Sequence, residues 1–150
     1  MGDARRDDMT RIDFYSNAEP KLQVACQLSA KAVQQSLRVL ILAPEESTVR
    51  AIDKLLWTFP ATGFLPHCMV HDRLAPETPI LIARDCEALP HDQVLLNLAP
   101  DSPVPFTRFQ RLIELVANDD ADKLAGRARF RFYRDRGYEI HHHVLGKTGS

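Results

Sequence analysis

The sequence predicts one α/β domain built on a largely parallel β-sheet, and three observations lead to this fold class. The run RVLILA (38–43) is continuously apolar, which is typical of a parallel strand that is buried on both faces. Short apolar runs alternate with segments of helical periodicity in the order β, α, β, α, several strands and α. The 150 residues also suffice for one hydrophobic core, so neither disulfides nor a metal ion are required to hold it.

The composition divides the chain into three parts. Residues 1–8 are polar and charged and predict a disordered leader, residues 9–144 hold the apolar runs of the domain, and residues 145–150 predict a flexible tail. No apolar run approaches the roughly 18 residues of a membrane span, and the N-terminus lacks the apolar stretch of a secretory signal. We therefore expect a cytoplasmic protein that does not contact a membrane.

The elements of the first two thirds follow from apolar runs and helix boundaries. A first helix is expected to begin at Pro20, which suits the first helical turn, and to continue for about 15 residues. A second begins at the acidic and hydroxyl residues 45–47 and ends near Trp57. Apolar runs bounded by proline and polar loops predict the strands, which lie at 11–16, 38–43, 64–70, 79–84 and 93–99.

The last third contains one ambiguous segment and a final helix. Residues 111–116 favour a strand, although a helix that starts near Phe106 is also possible. An aspartate at 119–120 then caps the final helix, and Gly137 occupies the position where helices commonly end in a left-handed residue. Residues 139–150 predict a frayed end.

The predicted sheet lacks the features of a nucleotide site. Ligands of doubly wound sheets bind at the carboxyl ends of strands, and here the first two ends are SNAEP (16–20) and APEEST (43–48). Neither contains the glycines that let backbone amides approach a phosphate, and the second is acidic. The Gly-Lys-Thr at 146–148 lacks the earlier glycine of a P-loop, because that position is His141. We expect no cofactor.

Metal and catalytic chemistry have little support in the sequence. His67, Cys68, His71 and Asp72 cluster, but structural zinc takes paired ligands from two segments and this cluster supplies one. The favoured interpretation is a strand and loop with surface histidines and a buried cysteine. No base or oxyanion partner for Cys68 can be identified, and three cysteines without a CxxC pair argue against a disulfide framework. We expect neither a metal site nor a catalytic site.

Aromatic residues crowd the segment LLWTFPATGFLPH (55–67). Trp57 and Phe64 flank a proline-containing turn, where a large apolar side chain is difficult to bury completely. Two interpretations stand. These side chains either belong to the core or anchor a protein–protein contact, in which tryptophan is enriched.

Positive charge is concentrated in the final helix (121–138). Between Lys123 and Arg136 six cations stand against one acid, although the formal net charge of the chain is −1. Helical spacing predicts a buried apolar stripe of Ala121, Leu124, Ala125, Ala128 and Phe132. A roughly opposite stripe carries Lys123, Arg127, Arg131 and Arg134, with Phe130 among them. Such a stripe suits an acidic peptide or single-stranded nucleic acid, with a solvated helix face as the plainer alternative.

Several of these segments together resemble the chi subunit of bacterial DNA polymerase III. The matching residues are the strand IDFY (12–15), the strand RVLILA, the LLW…P…F.PH pattern that begins at Leu55 and the R.RF..YR..GY pattern that begins at Arg127. The similarity covers about residues 9–144, and it depends on the order and spacing of these patterns.

The resemblance implies a non-catalytic accessory subunit of the clamp loader with a three-layer Rossmann-like α/β fold and no nucleotide-binding loop. It implies two partners, the psi subunit and the acidic C-terminal tail of single-stranded-DNA-binding protein, so that nucleic acid is contacted only indirectly. The implied tail site consists of Val116, Lys123, Arg127, Phe130 and Arg134. The implied psi site consists of Trp57 and Phe64, a surface that an alternative helicase partner could also use. A module that binds single-stranded nucleic acid directly through the basic helix is the competing hypothesis.

Overall fold

A computed structural model describes residues 9–58 and 65–146 of the chain. The predicted leader (1–8), Phe64 and the last four residues lie outside this range. The described strands are β1 (Arg11–Ser16), β2 (Val39–Leu42), β3 (His67–Met69), β4 (Ile80–Ala83), β5 (Val94–Asn97), β6 (Arg111–Val116) and β7 (Ile140–Val144). The described helices are α1 (Lys21–Gln34), α2 (Glu46–Thr58) and α3 (Asp120–Asp135), with 3₁₀ turns at Ala75–Glu77 and Val104–Arg108.

The seven described strands form one sheet in the order β3-β4-β2-β5-β6-β1-β7, and every neighbouring pair is parallel. One core cluster joins α1 and α2 to one face of the sheet, and a second joins α3 and the 3₁₀ turns to the other face. This is the predicted three-layer, Rossmann-like α/β architecture. Within the described ranges, no helix combines the length and the apolar character needed to cross a bilayer.

The continuously apolar runs are the best predicted part of the fold. Strands β2, β4 and β5 lie inside the sheet and are buried at every position, because helices cover both of their faces. The ambiguous segment 111–116 is strand β6, which pairs with β5 and β1. The alternative helix near Phe106 is limited to the short 3₁₀ turn.

The prediction of a frayed end from residue 139 is wrong for Ile140–Val144. This segment is the edge strand β7 and pairs with β1 in parallel, so that His141 lies opposite Asp13 and His143 opposite Tyr15. The sequence IHHHV carries no apolar run or alternation that would signal a strand. The strand is held by residues that are distant in sequence. His143 Nε2 lies 2.8 Å from the Asp13 carboxylate, and the His143 ring stacks on Tyr15.

The predicted buried stripe of α3 is also wrong. Ala121 and Ala128 are exposed and Leu124 is 64% exposed, whereas Gly126, Arg129 and Tyr133 face the sheet. The helix is therefore rotated relative to the prediction. An arginine can occupy the buried face because it pairs with a buried carboxylate of the sheet. Helix periodicity locates a buried face from its apolar residues, so it does not detect a face that is buried through an ion pair.

Both ends of α3 follow the predicted capping chemistry. The Asp119 carboxylate accepts a hydrogen bond from the backbone N–H of Asp122 at 3.0 Å. At the other end Gly137 has φ of +87°, its N–H donates to the Arg134 carbonyl at 2.9 Å, and the Tyr138 N–H donates to the Tyr133 carbonyl at 3.2 Å. These bonds form a Schellman motif, which requires a left-handed residue at Gly137.

We predict that Gly137→Ala lowers the free energy of unfolding by about 1–2 kcal/mol, because an L-residue is disfavoured in the left-handed region. Apart from Gly137 and its chain neighbours, no heavy atom of the described residues lies within 4 Å of a Cβ built here, so the cost is conformational rather than steric. Chemical denaturation measures it. Gly137→Asn serves as the matched control and should lose less, because asparagine tolerates this region better. Equal losses for both variants would contradict the conformational explanation.

Candidate functional site

A buried ion pair fastens α3 to the sheet. The Glu114 side chain of β6 is 0% exposed, and Arg129 Nε donates to its Oε1 at 2.8 Å. The Tyr133 hydroxyl donates to Oε2 at 2.6 Å, and Asn97 Nδ2 donates to the same oxygen at 3.0 Å. Because Arg129 and Tyr133 are four residues apart on one helix face, both reach the same carboxylate.

The remaining donors of Arg129 also point inward. Its Nη1 donates to the Pro100 carbonyl at 2.9 Å and its Nη2 to the Leu115 carbonyl at 3.3 Å. Burial raises the pKa of Glu114, although the charge of Arg129 and the surrounding donors oppose that rise. Burial and the Glu114 charge raise the pKa of Tyr133, which keeps its hydroxyl as a donor. Arg129 is therefore committed to the fold and unavailable to a ligand.

A groove of about 530 Å³ lies between α3 and the carboxyl ends of β1, β6 and β7. Its apolar floor is formed by Phe14, Val116 and Phe130, and its rim carries Lys123 and Arg127. The other lining residues are Ser16, Gly126, Arg131 and His142. An apolar recess edged by cations can hold a ligand that combines a carboxylate with an apolar group.

The groove continues into a second recess of about 350 Å³ along the same end of the sheet. The two share Ser16, Val116 and Lys123, and the second adds the side-chain amides of Asn17 and Asn118. Both amides are hydrogen-bonded within the fold, because Asn118 Nδ2 donates to Asn17 Oδ1 and Asn17 Nδ2 donates to the Leu145 carbonyl.

Gly126 sets the distance between α3 and the groove floor. A Cβ built at this position would lie 2.8 Å from Cγ2 of Val116, closer than ordinary side-chain packing allows. Only glycine lets the helix approach β6 this closely without displacing Val116. No sequence pattern distinguishes Gly126, because the close contact joins two elements and leaves no local signal.

Four of the five residues of the implied tail site line this groove: Val116, Lys123, Arg127 and Phe130. Arg134 does not. It lies exposed on the same side of the helix, where it contacts the exposed Asp135 at 3.3 Å. Phe130 is less exposed than its place on the charged stripe predicts, because it is half-buried and packs edge-on against Phe14 at 5.6 Å between centroids.

The structure adds two polar side chains that the implied site lacks. Arg131 lines the groove and follows Arg127 by four residues, so its position on the charged stripe could have identified it. His142 also lines the groove, with its Nε2 3.2 Å from the Ser16 hydroxyl oxygen. His142 could not be found from sequence because its segment carried no strand signal.

Trp57 marks a second surface. Its side chain is 54% exposed on α2, which excludes the core interpretation for this residue. The indole meets the His67 ring edge-on at 4.9 Å between centroids. His67 is itself buried, with its Nδ1 2.7 Å from the Leu65 carbonyl and its Nε2 2.9 Å from Asp53 Oδ1. The exposed indole therefore rests on a buried, hydrogen-bonded support that joins α2 to β3.

The cysteine and histidine cluster does not form a metal site in the described part of the chain. No group of three or more histidine, cysteine, aspartate or glutamate side chains is arranged there to hold an ion. Cys26, Cys68 and Cys86 are free thiols. Burial raises the pKa of Cys26 to about 11, so this thiol stays protonated at neutral pH and is a poor nucleophile.

Comparison with known proteins places these features in a family context. Residues 9–141 match the family described as DNA polymerase III chi subunit, HolC. The chain is 36% identical over 141 residues to the DNA polymerase III subunit chi of Pseudomonas aeruginosa, covering 91% of this chain and 98% of that protein. It is 27% identical over 135 residues to the subunit chi of Escherichia coli, covering 89% of this chain and 90% of that protein. Haemophilus influenzae subunit chi is 29% identical over 119 residues, covering 79% of this chain and 83% of that protein.

We predict that Arg129→Leu lowers the free energy of unfolding by about 3–5 kcal/mol, because it leaves the buried Glu114 without its ion-pair partner. Glu114→Gln combined with Arg129→Leu should recover part of this loss, since the uncompensated charge is removed. Urea denaturation of the two single variants and the double variant measures the coupling. Arg127→Leu is the matched control on the exposed face of the same helix and should change the free energy of unfolding by less than about 0.5 kcal/mol. Additive losses in the double variant would contradict the interpretation of Glu114 and Arg129 as a coupled buried pair.

Proposed function

The chain belongs to the DNA polymerase III chi subunit family, so it is a replication accessory subunit, and from this premise we propose that it bridges two proteins of the replication machinery. One partner is the psi subunit, which would tether it to the clamp loader. The other is the acidic C-terminal tail of single-stranded-DNA-binding protein. This role requires no catalytic site of its own and is expected in the cytoplasm.

The groove beside α3 is the observation that carries the proposed tail contact. An acidic tail that ends in an aromatic residue would place its ring against Val116 and the half-buried Phe130. Lys123, Arg127 and Arg131 would then meet the side-chain and terminal carboxylates. Peptide recognition by a basic cluster beside an apolar pocket is a recurring mode, and charge-assisted hydrogen bonds give it direction.

The same geometry favours a peptide over direct binding of nucleic acid by the basic helix. Sequence-tolerant binding of single strands uses aromatic rings whose faces are open to the bases. Phe130, the aromatic residue of the charged stripe, instead packs on Phe14 and forms part of the groove floor. The floor of the groove is therefore shaped to receive a side chain, whereas a base would need an open ring face.

The proposed affinity is modest, in the range of roughly −4 to −8 kcal/mol, or millimolar to micromolar. The tail belongs to a multimeric protein that coats DNA, so a high local concentration of tails would strengthen the attachment beyond the affinity of a single contact. Because the contacts are made by exposed cations, added salt would weaken them.

The Trp57 surface supports the second half of the proposal. Trp57 is an exposed aromatic on a rigid support, which is typical of an interface anchor. His67 beneath it belongs to β3, the first strand of the sheet, whereas the α3 groove adjoins β7, the last strand. The two surfaces thus lie near opposite edges of the sheet, so two partners could bind at the same time. Phe64, the other implied psi contact, lies outside the described residues.

We predict that a synthetic acidic peptide with a C-terminal phenylalanine and a free carboxylate binds the protein, and that Arg127→Ala weakens the affinity by about 10- to 100-fold. This loss corresponds to one hydrogen bond between charged groups, about 1.5–3 kcal/mol. Arg131→Ala should weaken binding more than Arg134→Ala, because only Arg131 lines the groove. Isothermal titration calorimetry at two salt concentrations measures these changes.

Arg50→Ala is the matched control for these peptide titrations. Arg50 is an exposed arginine of α2, on the opposite face of the sheet from the groove, and should leave binding unchanged. A peptide with a C-terminal amide tests the role of the terminal carboxylate. Undiminished binding to Arg127→Ala and Arg131→Ala would exclude the groove as the tail site.

We also predict that Trp57→Ala abolishes or weakens binding of the psi subunit by at least tenfold, because aromatic anchors of this kind contribute about 2 kcal/mol or more. Peptide binding in the α3 groove should be unaffected by the same substitution. Trp57 is the only tryptophan of the chain, so its fluorescence reports directly on partner binding at this surface. Retention of psi binding by Trp57→Ala would place that contact elsewhere.

A further inference from the structure

A second cationic groove lies on the face of the sheet opposite α3. It has a volume of about 400 Å³ and runs between α1 and the strands β1, β6 and β7. Its polar lining comes from Arg11, Tyr15, Lys31, Gln35, Arg111 and His143, and its apolar lining comes from Leu28 and Leu37. None of these residues belongs to the tail groove or to the Trp57 surface.

The groove is organised around the buried carboxylate of Asp13, which is 0% exposed. Arg111 Nε donates to its Oδ2 at 2.8 Å, and Arg11 Nε donates to the same oxygen at 3.1 Å. His143 Nε2 lies 2.8 Å from Oδ1. Arg11 and Arg111 are direct neighbours across the β1–β6 ladder, so their charges would repel each other without Asp13 between them.

Further contacts hold this cluster in one arrangement. Tyr15 and His143 stack at 4.4 Å between centroids, with 14° between their planes. The Tyr15 hydroxyl accepts a hydrogen bond from Arg111 Nη2 at 3.0 Å. A receptor whose donors are already fixed loses less conformational entropy when it binds a ligand.

The cluster carries more positive charge than the fold requires. Burial raises the pKa of Asp13, but hydrogen bonds from His143, Arg11 and Arg111 outweigh that effect and hold the pKa below its ordinary value. Asp13 is therefore a single negative charge at neutral pH, against three permanent cations at Arg11, Lys31 and Arg111. One arginine would be enough to pair a buried carboxylate. The three cations that line the groove exceed the charge of Asp13 by two, and Glu139 is a further acid that acts on Arg11 from outside the groove lining.

Donors remain available to a ligand. The hydrogen bonds of Arg11 and Arg111 use Nε and Nη2 of each guanidinium, and Nη1 of each has no acceptor in the part of the chain that the structure describes. Lys31 is exposed on α1, and its side-chain ammonium has no hydrogen bond or ion pair within the same described residues. Three cationic groups thus converge on one groove from three different elements.

We propose that this groove is an anion site for a phosphate group. A phosphate offers several oxygen acceptors and up to two negative charges, which match two guanidinium groups and an ammonium group better than one planar carboxylate does. The phosphate belongs either to the backbone of a single-stranded nucleic acid or to a free nucleotide. This site lies on the opposite face of the sheet from the peptide groove and does not depend on the proposed tail contact.

The test is a titration of the ¹⁵N-labelled full chain followed by NMR, with three probes added separately: inorganic phosphate, thymidine monophosphate and a (dT)₁₂ oligonucleotide. We expect shifts at Tyr15, Lys31, Arg111 and His143. Arg11→Gln and Lys31→Gln should each weaken binding roughly fivefold to tenfold and should reduce the salt dependence, as the loss of one phosphate contact does. Both side chains are exposed, so these substitutions should preserve the fold, which the same spectra verify.

Lys54→Gln, an exposed lysine of α2, is the matched control and should bind like the original protein. Binding by all three probes would assign a site for a single phosphate, and binding by the oligonucleotide alone would assign the nucleic-acid backbone. Both results support the proposal. It would be overturned by the absence of shifts at these residues. It would also be overturned if Arg127→Ala abolished oligonucleotide binding while Lys31→Gln left that binding intact. A third contrary result would be an acidic peptide that shifts the resonances of the residues lining this groove.

Discussion

The ion pair of Glu114 with Arg129 is the interaction on which the α3 side of the molecule depends. A buried carboxylate is costly unless it is paired and fully hydrogen-bonded, and Arg129, Tyr133 and Asn97 satisfy it from two other elements. Because two of these donors lie on one face of α3, the pair determines the rotation of the helix. That rotation directs Arg127 and Arg131 toward the groove and leaves Leu124 exposed.

Strand β7 contributes side chains to grooves on both faces of the sheet. Successive side chains of a strand point to opposite faces, so His142 reaches the groove beside α3 while His143 reaches Asp13 on the other side. Two grooves of different chemistry therefore share three strands. The α3 groove has an apolar floor and suits a peptide with an apolar end. The groove around Asp13 carries two hydrogen-bonded arginines and the exposed Lys31, and it suits a small anion.

Family membership and geometry contribute different parts of the functional argument. Membership in the chi family makes the chain a replication accessory subunit. The geometry adds what could recognise each proposed partner: a groove bordered by cations near one edge of the sheet and an exposed Trp57 near the other edge. It also separates residues that look equivalent in the sequence. Among the arginines of α3, Arg129 is buried in the fold and Arg131 lines the groove, whereas the Arg134 guanidinium hydrogen-bonds to Asp135 outside the groove.

The sequence by itself determined the α/β class, the central strands and the caps of α3, because these depend on local signals. A strand buried on both faces, such as Val39–Leu42, must be apolar throughout, and the caps need particular residues at Asp119 and Gly137. Only the tertiary structure decided the rotation of α3, the edge strand Ile140–Val144 and the close approach at Gly126. Each of these depends on a partner from another element: Glu114 for Arg129, Asp13 for His143, and Val116 for Gly126. Such pairs are matched in space and leave no periodic pattern in the chain. Periodicity therefore identified the charged stripe with Phe130, whereas the groove residue Val116 came only from the family resemblance and Gly126 and His142 only from the structure.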